Sequence, residues 1–102
     1  MLTSRELHRL LVDSRTNPDA ADQLLEQYRP VLRIIAEQMI GSGIRRREDA
    51  SDIVQRTVLE AYAAFEQFHG GSEAEFSAWL KQILRHNVTN LGRDDVTAAF
   101  RA

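Results

Sequence analysis

The chain has 102 residues with a formal net charge of −2, and 43% of its residues are hydrophobic and 27% charged. These values are typical of one folded domain with a single modest core, and they argue against wholesale disorder. The sequence contains no cysteine, which excludes disulfides and thiolate metal sites, and no apolar run approaches the ~20 residues that span a bilayer. We therefore expect a cytoplasmic protein without a membrane partner.

The N-terminal part of the chain predicts two helices. Thr3 and Glu6 stand at capping-box spacing ahead of a leucine-rich segment, which indicates a short first helix. Asn17 followed by Pro18 is typical of an N-cap and a first helical turn, and it precedes a longer segment with apolar residues at helical spacing. Pro30 lies inside that pattern, so we expect a kink or a break into two pieces there.

Residues 49–68, DASDIVQRTVLEAYAAFEQF, predict a third helix, after a glycine-containing segment at 41–43 that ends the second. Asp49 is the expected N-terminal cap of this helix. One face carries an apolar stripe that needs a core to pack against: Val54, Val58, Ala61, Tyr62 and Phe65. The opposite face is polar, yet Leu59 lies at its centre, and this position raises the question of what the leucine contacts.

The last predicted helix begins at a second capping box, formed by Ser72 and Glu75, and runs through Leu91 with Gly92 as its stop. No segment shows the alternation of a strand, so the predicted fold class is all-α, a compact bundle of three to five helices. We expect residues 1–92 to form the helical domain and residues 93–102 to be a tail.

The sequence shows no pattern of a catalytic or metal site. His8, His69 and His86 are not paired with another ligand residue at helical spacing, and no Walker loop, nucleophile elbow or zinc pattern is present. Carboxylates that are close in sequence stand at helix starts, where acidic residues stabilise the helix dipole. We therefore expect a protein that is not an enzyme and that binds no cofactor or metal.

The two faces of the last helix differ in chemistry. Asn87 falls in the middle of the apolar stripe, where we expect a hydrogen-bonded amide that fixes helix packing. The opposite face is basic, rich in amides and without carboxylates: Ala78, Lys81, Gln82, Arg85 and Thr89. Such a face is typical either of contacts with nucleic acid or of an ordinary solvated surface, and spacing alone does not separate the two. Trp79, at the border, fits the edge of a core as well as a base-stacking position.

Three segments, in this order, resemble region 2 of bacterial sigma factors, especially those of the extracytoplasmic-function group. The third predicted helix carries an Asp-x-x-Gln pattern at Asp52 and Gln55, and a short glycine-containing loop follows. The last helix carries a Trp-Leu-x-x-Ile-x-x-x-Asn pattern, which consists here of Trp79, Leu80, Ile83 and Asn87. The segment LLEQYRPVLRIIAEQM is similar to the preceding helix of the same region, so the resemblance covers roughly residues 19–91.

The resemblance implies a polymerase-binding face on the third helix. In this family the outer face of the Asp-x-x-Gln helix docks on the clamp helices of the largest catalytic subunit of core RNA polymerase. Asp52 and Gln55 would hydrogen-bond this partner, Leu59 would be the apolar anchor between them, and Ala63 belongs to the same face. Arg56 departs from the family, which usually has a glutamate there, so a basic clamp surface would repel it.

The resemblance also implies binding of promoter DNA, partly single-stranded, at the −10 element. A base of the non-template strand would turn out into a pocket of the loop formed by His69, Gly70, Gly71 and Ser72. Backbone and base contacts would come from the last helix and its extension: Trp79, Lys81, Gln82, Arg85, His86, Thr89 and Arg93. Primary sigma factors have a tandem aromatic wedge where this chain has Ala78-Trp79, which implies weaker melting and stricter selectivity.

Sigma factors of this group also have a second helical domain that reads the −35 element. We therefore expect residues 93–102 to start a linker in a longer protein, with a natural one-domain relative as the alternative. A function of a different class also stays open, namely a helical protein-interaction module such as a decoy or regulator of polymerase that binds no DNA. An anti-sigma factor is a further partner that the resemblance allows.

Overall fold

The computed structural model describes residues 3–41 and 46–91 in full and residues 92–101 by their backbone alone. These ranges contain four α-helices and one short 3₁₀ helix, and no strand: α1 (Ser4–Asp13), α2 (Pro18–Ile40), α3 (Arg46–Ala63), the 3₁₀ helix (Phe65–Gln67) and α4 (Glu73–Arg101). The predicted all-α class is therefore confirmed. None of the helices in the described ranges is long and apolar enough to cross a membrane.

Three of the predicted helix starts are present, each with its side-chain cap. The hydroxyl of Thr3 accepts a hydrogen bond from the backbone N–H of Glu6, and the pair forms a full capping box. Asn17 caps α2 by accepting the backbone N–H two residues further on, at 3.0 Å. Ser72 Oγ accepts the backbone N–H of Glu75 at 3.1 Å and donates to the carboxylate of the same residue. Each contact satisfies a helix-terminal N–H that has no partner within the helix.

The second helix continues through Pro30, so the expected break into two pieces is not present. Proline removes one backbone hydrogen bond, and the carbonyl that loses it belongs to Glu26, an exposed residue that water can reach. Residues on both sides of the proline, Leu24 and Leu32 among them, are buried in the same core. Their packing holds the two halves of α2 in one helix.

The other helix bounds differ from the prediction in three places. The third helix begins at Arg46, earlier than Asp49, and it ends at Ala63, with a separate 3₁₀ turn before Phe68. Asp49 therefore lies in the first turn of α3 rather than at its cap, a position where a carboxylate also favours the helix dipole. Gly92 does not stop α4, whose backbone remains helical to Arg101. A glycine costs a helix only about 1 kcal/mol, which neighbouring residues can offset.

The core lies between α2, α3 and α4, with α1 packed against α2. Its largest fully buried apolar side chains are contributed by α2 and α4: Leu24, Leu25, Leu32, Phe76, Leu80 and Leu84. The third helix faces this core with the predicted residues Val54, Val58 and Ala61, and Phe65 of the 3₁₀ helix is also buried. Tyr62 was predicted in the same stripe, but it is 46% exposed. The buried face of α3 is rotated towards Ile53 and Thr57 because α3 packs against α2 on one side and α4 on the other.

Asn87 links α3 and α4 inside the core, as predicted for a structural amide. It is 1% exposed, and its Nδ2 donates to Thr57 Oγ1 at 3.1 Å and to Glu60 Oε2 at 3.3 Å. The Thr57 hydroxyl donates in turn to the carbonyl of Ile53 at 2.7 Å. Buried polar groups that have such partners avoid the desolvation penalty and fix how two helices pack.

Candidate functional site

The outward face of α3 is a continuous strip that we call the α3 outer strip. All of its residues are exposed: Asp52, Gln55, Arg56, Leu59 and Ala63. Leu59 is 59% exposed and lies on the side of the helix opposite Thr57 and Ala61, which are fully buried. Leu59 is therefore not part of the domain's core, and its exposed apolar surface is available to another molecule.

A groove between α2 and α3 borders this strip. It has a volume of about 580 Å³, and Arg29 and Arg33 line it together with Asp52 and Gln55. Arg29 bridges the helices, since its Nη1 donates to Gln55 Oε1 at 3.1 Å and its Nε pairs with Glu26 at 2.8 Å. The groove thus offers cationic donors at one edge and a carboxylate at the other, an arrangement that suits a polar helix surface.

The sequence analysis did not single out Arg29 and Arg33. Their spacing of four residues, which places both on one face of α2, was the available signal. That signal is weak, because the same spacing occurs on many solvated helices. The spacing also does not reveal that this face of α2 lies beside α3, since that depends on how the two helices pack.

The outward face of α4 forms a second strip, the α4 outer strip, and consists of Lys81, Gln82, Arg85, His86 and Thr89. All are exposed except Lys81, which is half-buried. Two of them hydrogen-bond along the helix: Thr89 Oγ1 donates to the Arg85 carbonyl at 3.0 Å, and a ring nitrogen of His86 lies 3.1 Å from the Asn90 amide. No acidic residue occurs between residues 76 and 91, so Lys81 and Arg85 give the strip a net positive charge. The side chain of Arg93, also predicted to bind DNA, lies outside the described residues.

Residues 68–72 form the α3–α4 loop, which contains the predicted base pocket. His69 and Gly71 are exposed, whereas Gly70 and Ser72 are half-buried. A Cβ atom on Gly70 would come within 2.6 Å of the Phe68 ring and 2.9 Å of the Glu75 Cβ, so this position needs a glycine for close backbone approach. A Cβ on Gly71 would meet nothing within 4 Å. The loop therefore turns His69 and Gly71 outward and packs Gly70 against its own aromatic residue.

Arg15, in the turn between α1 and α2, holds this loop. Its Nη1 donates to the carbonyl of Phe68 at 2.8 Å, and its Nη2 donates to the carbonyl of Gly70. Its guanidinium carbon also lies 5.5 Å from the centroid of the Phe68 ring, within the range of a cation–π contact. The sequence analysis missed Arg15, and no local pattern marks it, because the contact joins residues more than fifty positions apart.

Trp79 lies beneath the loop rather than on the α4 outer strip. Its ring centroid is 5.2 Å from that of Phe68, 5.8 Å from that of Phe76 and 6.3 Å from that of Phe65. The indole is half-buried and joins the edge of the core, which agrees with the structural alternative for this residue. Its contact with DNA stays a prediction, and the contact would use the part of the ring that remains exposed.

Tyr28 of α2 is the one ionisable group among the described residues whose pKa clearly departs from its usual value. The pKa of Tyr28 is raised, chiefly because burial disfavours the phenolate and secondarily because Glu73 adds a like charge. The ring of Tyr28 packs edge-on against Phe76 at 5.3 Å between centroids. In the described part of the chain, no group of three His, Asp or Glu side chains could hold a metal ion.

Comparisons with known proteins give one match. A family model described as sigma-70 region 2 matches residues 24–96, which is most of the chain. No curated protein and no solved structure matches the chain. The matched range contains the α3 outer strip, the α3–α4 loop and the α4 outer strip, and it begins after α1 and Arg15.

Proposed function

Because the chain belongs to the sigma-70 region 2 family, we propose that it docks on the clamp helices of core RNA polymerase through the α3 outer strip and reads the −10 promoter element through α4 and the α3–α4 loop. Domains of this family are parts of transcription initiation factors and not enzymes, and they bind RNA polymerase and −10 elements in general. Beyond this general function, we propose the roles of the named residues and membership of the extracytoplasmic-function group.

The exposure of Leu59 is the observation that carries the polymerase-binding part of the proposal. A leucine that is 59% exposed in the middle of a polar strip supplies the apolar centre of an interface, and Asp52 and Gln55 supply the hydrogen-bonding rim. Gln55 is already oriented by Arg29, so its amide is held in place before docking. The clamp helices of the largest catalytic subunit are the partner that the family indicates.

The charge distribution of α4 supports DNA binding. Lys81 and Arg85 would neutralise phosphates, and Gln82 between them would reach base edges. The loop offers its outward residues, His69 and Gly71, to a base of the non-template strand that has left the stack. Turning out a base costs a few kcal/mol, which stacking and hydrogen bonds to the extruded base offset. The domain would thus nucleate duplex opening through binding alone.

The polymerase-binding part is tested by capture of core polymerase with the purified chain. Burying a leucine side chain contributes ~1.5–3 kcal/mol, so losing one that is 59% exposed weakens docking by about 1–2 kcal/mol. Leu59→Asp adds the cost of burying a carboxylate and should abolish capture at micromolar concentration. Val12→Asp on α1 is the matched control, because Val12 is 56% exposed, and it should leave capture unchanged. Equal capture of polymerase by the wild type and by Leu59→Asp would show that the docking face does not lie on α3.

The DNA-binding part is tested by the salt dependence of single-strand binding. Lys81→Gln combined with Arg85→Gln should weaken binding and reduce the slope of log affinity against log salt by about 1.4, at ~0.7 for each phosphate contact. Arg5→Gln combined with Arg9→Gln makes the same charge change at exposed positions of α1 and is the control. A protein-interaction module without DNA binding would capture polymerase, yet show no strand affinity for either variant to lose.

A further inference from the structure

We propose that Arg15 is a positioning residue for DNA recognition, which holds the α3–α4 loop in the one shape that presents His69 and Gly71 to an extruded base. This inference rests on the proposed function of the loop and extends it to a residue outside the matched range of 24–96. Arg15 itself contacts no DNA in this proposal. It acts through the backbone of the loop.

The geometry of the contact is the first argument. The two terminal nitrogens of Arg15 donate to the carbonyls of Phe68 and Gly70, two positions apart, so the residue between them is left pointing away. That residue is His69, which is exposed. A guanidinium is a rigid planar fork that can hold two such acceptors together, whereas a lysine ammonium is a point charge on a flexible stem.

The second argument is that the loop has few other restraints. In the part of the chain that the structure describes, the Gly70 carbonyl is the one backbone group of residues 69–71 that forms a hydrogen bond, and its donor is the Arg15 side chain. The loop ends are fixed otherwise, since Phe68 N–H donates to the Phe65 carbonyl and Ser72 caps α4. Arg15 therefore restrains the middle of the loop, where the base pocket is proposed.

The third argument is the aromatic ring to which Arg15 couples the loop. The centroid of the Phe68 ring lies 5.2 Å from that of Trp79 and 5.4 Å from that of Phe76. The guanidinium carbon of Arg15 lies 5.5 Å from the same Phe68 centroid. Gly70 approaches the same ring so closely that no side chain fits there. Arg15 thus holds the loop backbone onto an aromatic platform that belongs to the core.

A restraint of this kind changes the affinity for DNA because it sets the fraction of molecules whose loop already has the shape that binds the extruded base. The apparent dissociation constant is the intrinsic one divided by that fraction, so a fall from near unity to about one tenth weakens binding about tenfold. The weakening applies only to contacts made by the loop. Phosphate contacts of the α4 outer strip and polymerase contacts of the α3 outer strip would lie on helices with which Arg15 forms no hydrogen bond or ring contact in the described structure.

The experiment compares the wild type with Arg15→Gln, Arg15→Lys and the control Arg9→Gln, which alters an exposed arginine of α1. The probe is a fluorescein-labelled single-stranded 12-mer of DNA, selected as the tightest binder of the wild-type chain from a randomised pool. Each variant is titrated with this strand and with copies in which one position at a time is abasic. The position with the largest loss in the wild type defines the extruded base. Urea unfolding and amide hydrogen exchange of residues 69–71 are measured on the same samples.

For Arg15→Gln we expect about tenfold weaker binding of the intact strand, unchanged binding of the strand that is abasic at that position, and faster exchange in residues 69–71. Arg15→Lys should fall between this variant and the wild type, and Arg9→Gln should match the wild type. Capture of core polymerase should be the same for all four proteins. A merely structural arginine would weaken both strands in proportion to lost stability, so the ratio between the strands separates the two roles.

Two outcomes would overturn the proposal. If Arg15→Gln keeps the wild-type ratio between intact and abasic strands, Arg15 does not position the loop, although the proposed function stands. If the wild-type chain binds no strand from the pool, the proposed function fails and this inference fails with it. Should Arg15→Gln not fold, the same ratio measured on Arg15→Lys decides the matter.

Discussion

Replacing Asn87 by alanine should destabilise the domain strongly. The change removes one hydrogen bond to Thr57, at 3.1 Å, and one to Glu60, at 3.3 Å, from a residue that is 1% exposed. Each bond contributes about 1 kcal/mol net, and the cavity left by the amide adds about another 1 kcal/mol. The expected loss is therefore about 2–4 kcal/mol, out of a total of roughly 5–15 kcal/mol for a domain of this length.

Urea unfolding followed by far-UV circular dichroism measures this loss directly. At a slope of about 1.5 kcal/mol/M, the midpoint should fall by roughly 2 M. Asn90→Ala is the control, because Asn90 lies on the same helix, is half-buried and bonds only to His86 in the described structure. It should change the free energy of unfolding by less than about 0.5 kcal/mol.

A double-mutant cycle with Thr57→Val tests the bond itself. Thr57 is fully buried, and valine keeps its shape while removing the oxygen that accepts from Asn87. The double variant should be more stable than the sum of the two single losses predicts, by about 1 kcal/mol of coupling. Strict additivity, or an Asn87→Ala variant as stable as the wild type, would refute the assignment of this network as a structural link.

Two further predictions concern the α3–α4 loop and Tyr28 of α2. Gly70→Ala should lower the free energy of unfolding in urea by about 1–3 kcal/mol, because its Cβ would overlap the Phe68 ring. Gly71→Ala, which has open space around the new Cβ, should lower it by less than about 0.5 kcal/mol. Equal losses for the two variants would contradict the packing of Gly70 against Phe68. Because burial and Glu73 raise the folded-state pKa of Tyr28 above 10.0, the unfolded chain ionises first, so stability should fall as pH rises above about 10. Tyr28→Phe should flatten this alkaline decline in the midpoint measured against pH, and an unchanged slope would count against the shift.

Three of the four helix starts could be predicted because capping is local; the exception is α3, which begins at Arg46 and not at the predicted cap Asp49. Thr3, Asn17 and Ser72 each contact a backbone group two or three residues away, so the sequence contains the whole interaction. The errors have the opposite cause. Pro30 and Gly92 are unfavourable in a helix by their local chemistry, yet the backbone of both helices continues past them. In α2 this is because Leu24 and Leu32, on either side of the proline, are buried in one core. Tyr62 was placed in the core because a stripe drawn at 100° per residue does not reveal which neighbouring helices will cover it.

The two outer strips were predictable to the extent that helical periodicity separates an inner from an outer face. Leu59 and Arg85 are exposed where the spacing placed them, and Asn87 is buried where the spacing placed it. The groove residue Arg29 and the loop-holding Arg15 were not predictable, because each acts on a partner that is distant in the sequence. Their roles follow only from the tertiary arrangement, in which one arginine joins α2 to α3 and the other joins the α1–α2 turn to the loop.

The position of Asn87 gives the two strips a common physical basis. Its partners Thr57 and Glu60 belong to the helix whose far side is the α3 outer strip, and Asn87 belongs to the helix whose far side is the α4 outer strip. A buried amide between apolar helices accepts few alternative registers, because sliding either helix would leave its N–H groups unpaired in the core. The proposed polymerase-binding and DNA-binding faces are therefore held at a fixed offset. In the proposed complex, docking of one face would present the other at a defined place on the promoter strand, and α3 would not have to be ordered against α4 when the DNA binds.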